Sequence, residues 1–200
     1  MNTGFPSYSD IAQGFTKWLG EKGYMIDEYT SEFTIQFWLA CFLDTVLPPG
    51  HKCELEVSIR RFNIVESLRK KEIDLVVTIG NERHAIEIKF VRDRGTFNIG
   101  MFRISEDILF LEQLKDRGFN SACSLAITNI PELYTLPNQQ LNPRNAENLR
   151  LYTAFRIDRL LSGTLKILTG NLNEEVTLQR EHRLEWFDFI SKTKMAVVSE

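Results

Sequence analysis

The feature that most constrains how this chain can fold is a change of hydrophobic period after Pro48-Pro49-Gly50, where helical spacing gives way to alternation. Ile73, Leu75, Val77 and Ile79 alternate with Glu72, Asp74, Val76 and Thr78. After Gly80-Asn81, His84, Ile86, Ile88 and Phe90 alternate with Arg83, Ala85, Glu87 and Lys89. A period of two means a strand, and two such runs joined by Gly-Asn read as a β-hairpin. A two-residue turn at Gly80-Asn81 sets Asp74 directly opposite Glu87. Lys89 then projects from the same face, while Ile73, Leu75, Ile86 and Ile88 turn to the opposite, core-facing side.

The flanking segments place this hairpin between helices. Ser9 can cap a first helix carrying Ile11, Phe15, Trp18 and Leu19, with Gly20 and Gly23 ending it. A second helix is expected from Thr30 or Ser31 to Leu47, apolar around most of its circumference and so largely buried. Leu55, Val57 and Ile59 mark a strand over 53–60. Ser105 can cap a third helix over 104–117, and the apolar stretch from Ala122 to Ile130 reads as an interior strand. Residues 131–148 carry no clear period, and 149–161 is ambiguous between helix and strand. Thr164-Leu168, Glu175-Gln179 and His182-Phe187 look like strands of a C-terminal antiparallel extension.

Two hundred residues, 43% of them hydrophobic, suit one domain spanning 1–200. The longest apolar run, Phe37 to Leu43, is too short to span a bilayer, and the N-terminus lacks the features of a secretion signal, so a cytoplasmic location without membrane contact is the expectation. Cys41, Cys53 and Cys123 are far apart and read as reduced thiols. His51, His84 and His182 have no zinc-site spacing, and His84 reads as a hydrogen-bonded structural histidine. A net charge of -3 excludes a general basic coat, so any nucleic-acid contact must be local. Nucleotide-binding glycine loops and serine-hydrolase or zincin motifs are absent from the sequence.

Like charges facing each other across a strand pair repel, and something should offset the Asp74–Glu87 juxtaposition. A hard divalent cation held by one or two carboxylates would do so, with the Lys89 ammonium alongside. A metal that activates water, beside a lysine that positions it or neutralises developing charge, is a set suited to phosphodiester cleavage. The plain alternative is a solvated strand face.

A helix with an early Glu, a strand, Ile73-Asp74, twelve residues, Glu87-Ile88-Lys89, and then helix and strand together resemble the PD-(D/E)XK, or restriction endonuclease-like, superfamily. Ile73 stands where the motif's proline would be. The resemblance covers Glu32 to Ile130 and implies an α/β fold: an αβββαβ core (about 31–130) whose mixed central sheet is flanked by helices, with the C-terminal β extension (about 149–200) added. It implies Asp74 and Glu87 as Mg²⁺ ligands, with Mn²⁺ substituting, and Lys89 as the catalytic lysine. Glu32 resembles the helix Glu that many members add as an outer metal ligand; complementing the positive end of its helix is an equal alternative. Glu54, ahead of Glu56, is a further candidate ligand. Arg92, Arg94 and Arg103 could border the site and meet nucleic-acid phosphates, with Arg144, Arg150, Arg156 and Arg159 as a second basic segment. The implied activity is a metal-dependent endonuclease acting on nucleic acid, DNA ahead of RNA, with a homodimer or partner subunit left open. The alternative is a non-catalytic nucleic-acid-binding or assembly module on the same fold.

Overall fold

The computed structural model describes residues 4–64, 68–135, 151, 154–155, 160–169 and 172–200. The first helix, α1 (Tyr8–Lys22), starts from Ser7 rather than Ser9: the Ser7 side chain accepts the Asp10 N–H, and Gly23 closes the helix in the left-handed region. Ser9 lies inside the first turn and reaches across to Glu185. Ser31 and Thr34 form a capping box that starts α2 (Glu32–Val46) at the expected place. Only one stripe of α2 is buried, centred on Ile35, Leu39 and Leu43, whereas Phe33, Phe37 and Val46 are exposed. The expectation of a largely buried helix is corrected accordingly: α2 covers the sheet from one side and nothing covers its outer face among the described residues.

Three strands follow, β1 (Lys52–Ser58), β2 (Glu72–Ile79) and β3 (Glu82–Val91), then α3 (Phe97–Asp116) and β4 (Ser121–Thr128). The order α2-β1-β2-β3-α3-β4 reproduces the αβββαβ succession read from the sequence. Strands β3 and β4 are parallel neighbours, and α3 is the crossover such a pair requires. The C-terminal strands divide into two groups. β5 (Leu160–Thr169) and β6 (Leu172–Arg183) form a two-stranded antiparallel sheet, whereas β7 (Glu185–Asp188) and β8 (Lys194–Ser199) join the main one. The result is a mixed six-stranded sheet in the order β1-β2-β3-β4-β8-β7. β8, not anticipated from the sequence, is an interior strand whose Met195, Ala196, Val197 and Val198 are all buried.

The main sheet buries both faces. Leu75, Val77, Ile86, Ile88, Cys123, Leu125 and Ile127 pack beneath α1 and α2. On the other side Val76, Ala85 and Ala122 meet Phe110, Leu111 and Leu114 of α3, and the β5–β6 sheet packs against the first half of that helix. α3 starts at Phe97, well before the expected Ser105, which is buried within the helix and donates to the Met101 carbonyl. The true start is hard to read because Thr96 makes no side-chain cap bond and Gly100 sits in the first turn. That glycine has a packing reason: a Cβ there would lie 2.6 Å from Val91 Cγ1, so its absence lets α3 press against the end of β3. No helix among the described residues is long and apolar enough to cross a membrane.

Candidate active site

The hairpin keeps the register that a two-residue turn dictates. Ile79 faces Glu82, Val77 faces His84 and Leu75 faces Ile86, with Gly80 at φ 59° supplying the left-handed turn residue. Regular pairing stops at Leu75. Hydrogen-bonded pairs alternate along an antiparallel ladder, so Ile73 and Ile88 should form the next one. Instead the Ile88 N–H donates to Asp74 Oδ2 at 2.7 Å, and the Phe90 N–H donates to Glu32 Oε2 at 2.9 Å. Carboxylates from β2 and α2 thus take the place of backbone carbonyls along the open edge of β3.

The split has a local cause on the other side of β2. Pairing of β1 with β2 skips Glu56 and Asp74, and Glu56 adopts the left-handed region at φ 51°, a sparsely populated conformation for a residue with a side chain. Beyond this irregularity the strand presents its alternate face. Ile73 packs in the α3-side cluster, while Leu75, Ile86 and Ile88 lie under α1 and α2. The expectation that all four share one side is therefore corrected, and Asp74 marks the switch.

Glu87 and Lys89 face α3, not solvent. Glu87 is fully buried; its Oε2 meets the Lys70 ammonium and its Oε1 lies 3.4 Å from the Asp74 nitrogen. The same Lys70 Nζ donates to Asp107 Oδ1 of α3 at 2.8 Å, bridging two buried carboxylates. Burial raises the Glu87 carboxyl well above the ordinary range, the neighbouring Asp74 charge raises it further, and Lys70 opposes both. Burial likewise raises Asp107 to about 6 against the pull of Lys70 and Lys89. Burial alone would lower Lys70, but the charges of Glu87, Asp107 and Asp74 together outweigh it and hold the ammonium firmly protonated. Lys89 follows the same pattern: burial lowers it, Asp107 and Glu32 raise it, and the sum is upward.

Lys89 Nζ donates to Glu32 Oε1 at 2.8 Å, so Glu32 ties the tip of α2 to β3 through both of its oxygens. Beside this pair opens a cleft of about 400 Å³ lined by Arg69, Lys70, Lys89, Arg103, Glu106, Asp107 and Glu174. Of the three arginines considered for phosphate contact, Arg103 reaches the cleft, and it does so from within α3 rather than from ahead of it. Arg92 is used structurally, donating to the carbonyls of Glu28 and Thr30 at 2.9 Å each. Arg94 pairs with Glu132 at the surface. Arg144, Arg150, Arg156 and Arg159 lie outside the described residues.

Sequence reasoning missed Lys70, Asp107 and Arg69. Lys70 carried a usable signal, since it lies four residues before Asp74 at the entry to β2 and so has the same parity along an extended chain. Asp107 carried none, because nothing in α3 says which turn stands over Glu87. Of the two strand acids, Glu54 is engaged by Arg61, and Glu56 is the one near the cluster. Burial and then the Asp74 charge raise the Glu56 carboxyl, against a hydrogen bond from Gln36. His84 is buried as expected, 2.7 Å from Ser121 Oγ and stacked on Phe5.

Elsewhere, Glu112, His182 and Glu200 bring ligand atoms within 4.8 Å of one another, a spacing that could hold a metal ion and that the sequence did not announce. These atoms already serve one another. Glu112 accepts the Gln179 and Arg180 N–H groups and meets His182 Nε2, while Glu200 meets His182 Nδ1 and Arg180. The knot fastens β6 and the end of β8 to α3.

Comparison with known proteins finds no matching family model, no matching curated protein and no matching solved structure. What the arrangement can do chemically therefore rests on its own geometry. Asp74, Glu32, Glu87 and Asp107 offer hard oxygen donors around two lysines, and Asp107 Oδ2 is a buried carboxylate oxygen with no hydrogen-bond partner among the described residues. This donor set fits Mg²⁺ or Mn²⁺ and would suit a soft metal poorly.

Proposed function

We propose that the chain is a metal-dependent phosphodiesterase of the PD-(D/E)XK type, an endonuclease acting on nucleic acid and on DNA ahead of RNA. The observation that carries this reading is the split of β2 from β3. At that point Asp74, Glu87, Lys89 and Glu32 meet beside an open cleft large enough to admit a phosphodiester. Asp74, Glu87 and Glu32 would hold Mg²⁺ or Mn²⁺. The ion, when bound, supplies Lewis-acid stabilisation of phosphate oxygens and a more acidic water.

The chain's own residues account for the rest. The Lys89 ammonium sits at the cleft, where it can orient the attacking water or neutralise charge developing on the phosphate. Glu32 fixes the position of Lys89 through their ion pair. Arg69 and Arg103 reach the same cleft while paired with Glu106 and Glu174, so they can hold phosphate oxygens after exchanging partners. In an assay with Mg²⁺ or Mn²⁺ on linear, circular, branched and single-stranded DNA and on RNA, cleavage is expected from the unmodified chain and lost in Asp74→Ala and Lys89→Ala. Cleavage that survives either substitution overturns the assignment.

One observation favours a second reading, a non-catalytic nucleic-acid-binding or assembly module. Lys70 already neutralises part of the charge on Glu87 and Asp107, so the fold can stand without a bound ion. Titration calorimetry with Mn²⁺ separates the two: no heat of binding, and no nuclease activity on any substrate, would favour the module.

A further inference from the structure

We infer that Asp107 of α3 is a third carboxylate ligand for a divalent cation at Asp74 and Glu87, and that Lys70 occupies this cation position until the ion displaces it. The inference rests on the metal-dependent reading above and goes beyond it, because the Asp-Glu-Lys pattern contains neither Asp107 nor Lys70.

Three observations converge. Lys70 Nζ touches Glu87 Oε2 and lies 2.8 Å from Asp107 Oδ1, so it stands where one positive charge can meet a carboxylate from β3 and another from α3. Asp107 is 3% exposed, yet its Oδ2 accepts no hydrogen bond among the described residues although the side chain lines the cleft. A buried carboxylate oxygen without a partner is costly, and a cation entering from the cleft would supply that partner. Charge balance points the same way. Asp74, Glu87, Asp107 and Glu32 are four acids, and Lys70 and Lys89 are the two lysines bonded within the set, leaving a formal charge of -2 when all are ionised.

Lys70 is suited to the part of a displaceable occupant. Its ammonium is a compact charge at the tip of a flexible stem, and its side chain borders the open cleft. An ammonium and a divalent ion repel each other and cannot share one position, so the two must compete. Lys89, held apart by Glu32, remains in place when they exchange.

The test is Mn²⁺ binding to the full chain near neutral pH, followed by electron paramagnetic resonance and checked by Mn²⁺-dependent thermal melting. It compares the unmodified protein with Asp74→Asn, Asp107→Asn, Lys70→Met and Lys70→Gln; the last keeps a polar side chain should Lys70→Met fail to fold. Asp107→Asn is expected to weaken Mn²⁺ binding about tenfold or more, and either Lys70 variant to strengthen it by a similar factor. Combining Asp107→Asn with the Lys70 change should remove that gain. If Asp74→Asn abolishes binding while Asp107→Asn and the Lys70 variants leave it unchanged, the inference is overturned and the metal-dependent reading survives. If no protein in the set binds Mn²⁺ at millimolar concentration, both fall.

Discussion

Replacing Lys70 with methionine removes the one ammonium that bridges two buried carboxylates, and the cost should depend strongly on pH. Glu87 is fully buried and Asp107 nearly so. Deleting one partner of such a pair typically costs about 3–5 kcal/mol, because a charge is left buried without compensation. For a domain of this size each kcal/mol moves the melting temperature by about 2–4 °C, so a loss of roughly 6–20 °C is expected at about pH 8. The carboxylates have an escape: they can take up protons. In the folded protein burial already raises Asp107 to about 6 and raises Glu87 well above its usual range. The folded state therefore holds more protons on these groups than the unfolded chain does. Their contribution is most favourable below the unfolded carboxylate range of about 4, and is lost as pH rises through about 6 for Asp107. Without Lys70 both groups rise further. Each pH unit is worth about 1.4 kcal/mol per proton taken up, so moving from about pH 8 to about pH 5 should recover most of the loss. Thermal melts of the two proteins across that interval measure it directly. An equal deficit at both ends, or a deficit below about 2 °C at pH 8, would refute the bridged-carboxylate account.

Two further predictions test the elements that hold the site open. Glu32→Ala removes the acceptor of the Phe90 N–H and the partner of Lys89, and should cost about 1–3 kcal/mol in urea unfolding. Glu32→Gln should cost less, since its amide oxygen can still accept from Phe90; equal costs would mean that Glu32 acts only through its charge. Gly100→Ala places a Cβ 2.6 Å from Val91 Cγ1, and overpacking of this kind should destabilise the fold by about 1–3 kcal/mol. Adding Val91→Ala should recover part of that loss if the close approach of α3 to β3 is its cause.

The sequence by itself determined what depends on neighbours along the chain. Alternation from Glu72 to Phe90, with Gly80-Asn81 between the two runs, sufficed for the hairpin and its register, because a two-residue turn leaves one way to pair the strands. Ser31 and Thr34 announced the start of α2. The type and order of the central elements followed from period and turn chemistry alone. What only the tertiary structure decided are the contacts between elements distant in sequence. Lys70, Glu87 and Asp107 come from a loop, a strand and a helix whose relative rotation is set by packing, notably by Gly100 against Val91. The break in pairing at Asp74 depends on the conformation of Glu56 on the next strand, which no local pattern reports. The insertion of β8 between β4 and β7 is likewise a choice of partner made over a long loop closure, and a short apolar run is compatible with many partners. An isolated hairpin would turn Glu87 toward water; α3, laid across that face, turns the same carboxylate into a buried group that must find a cation.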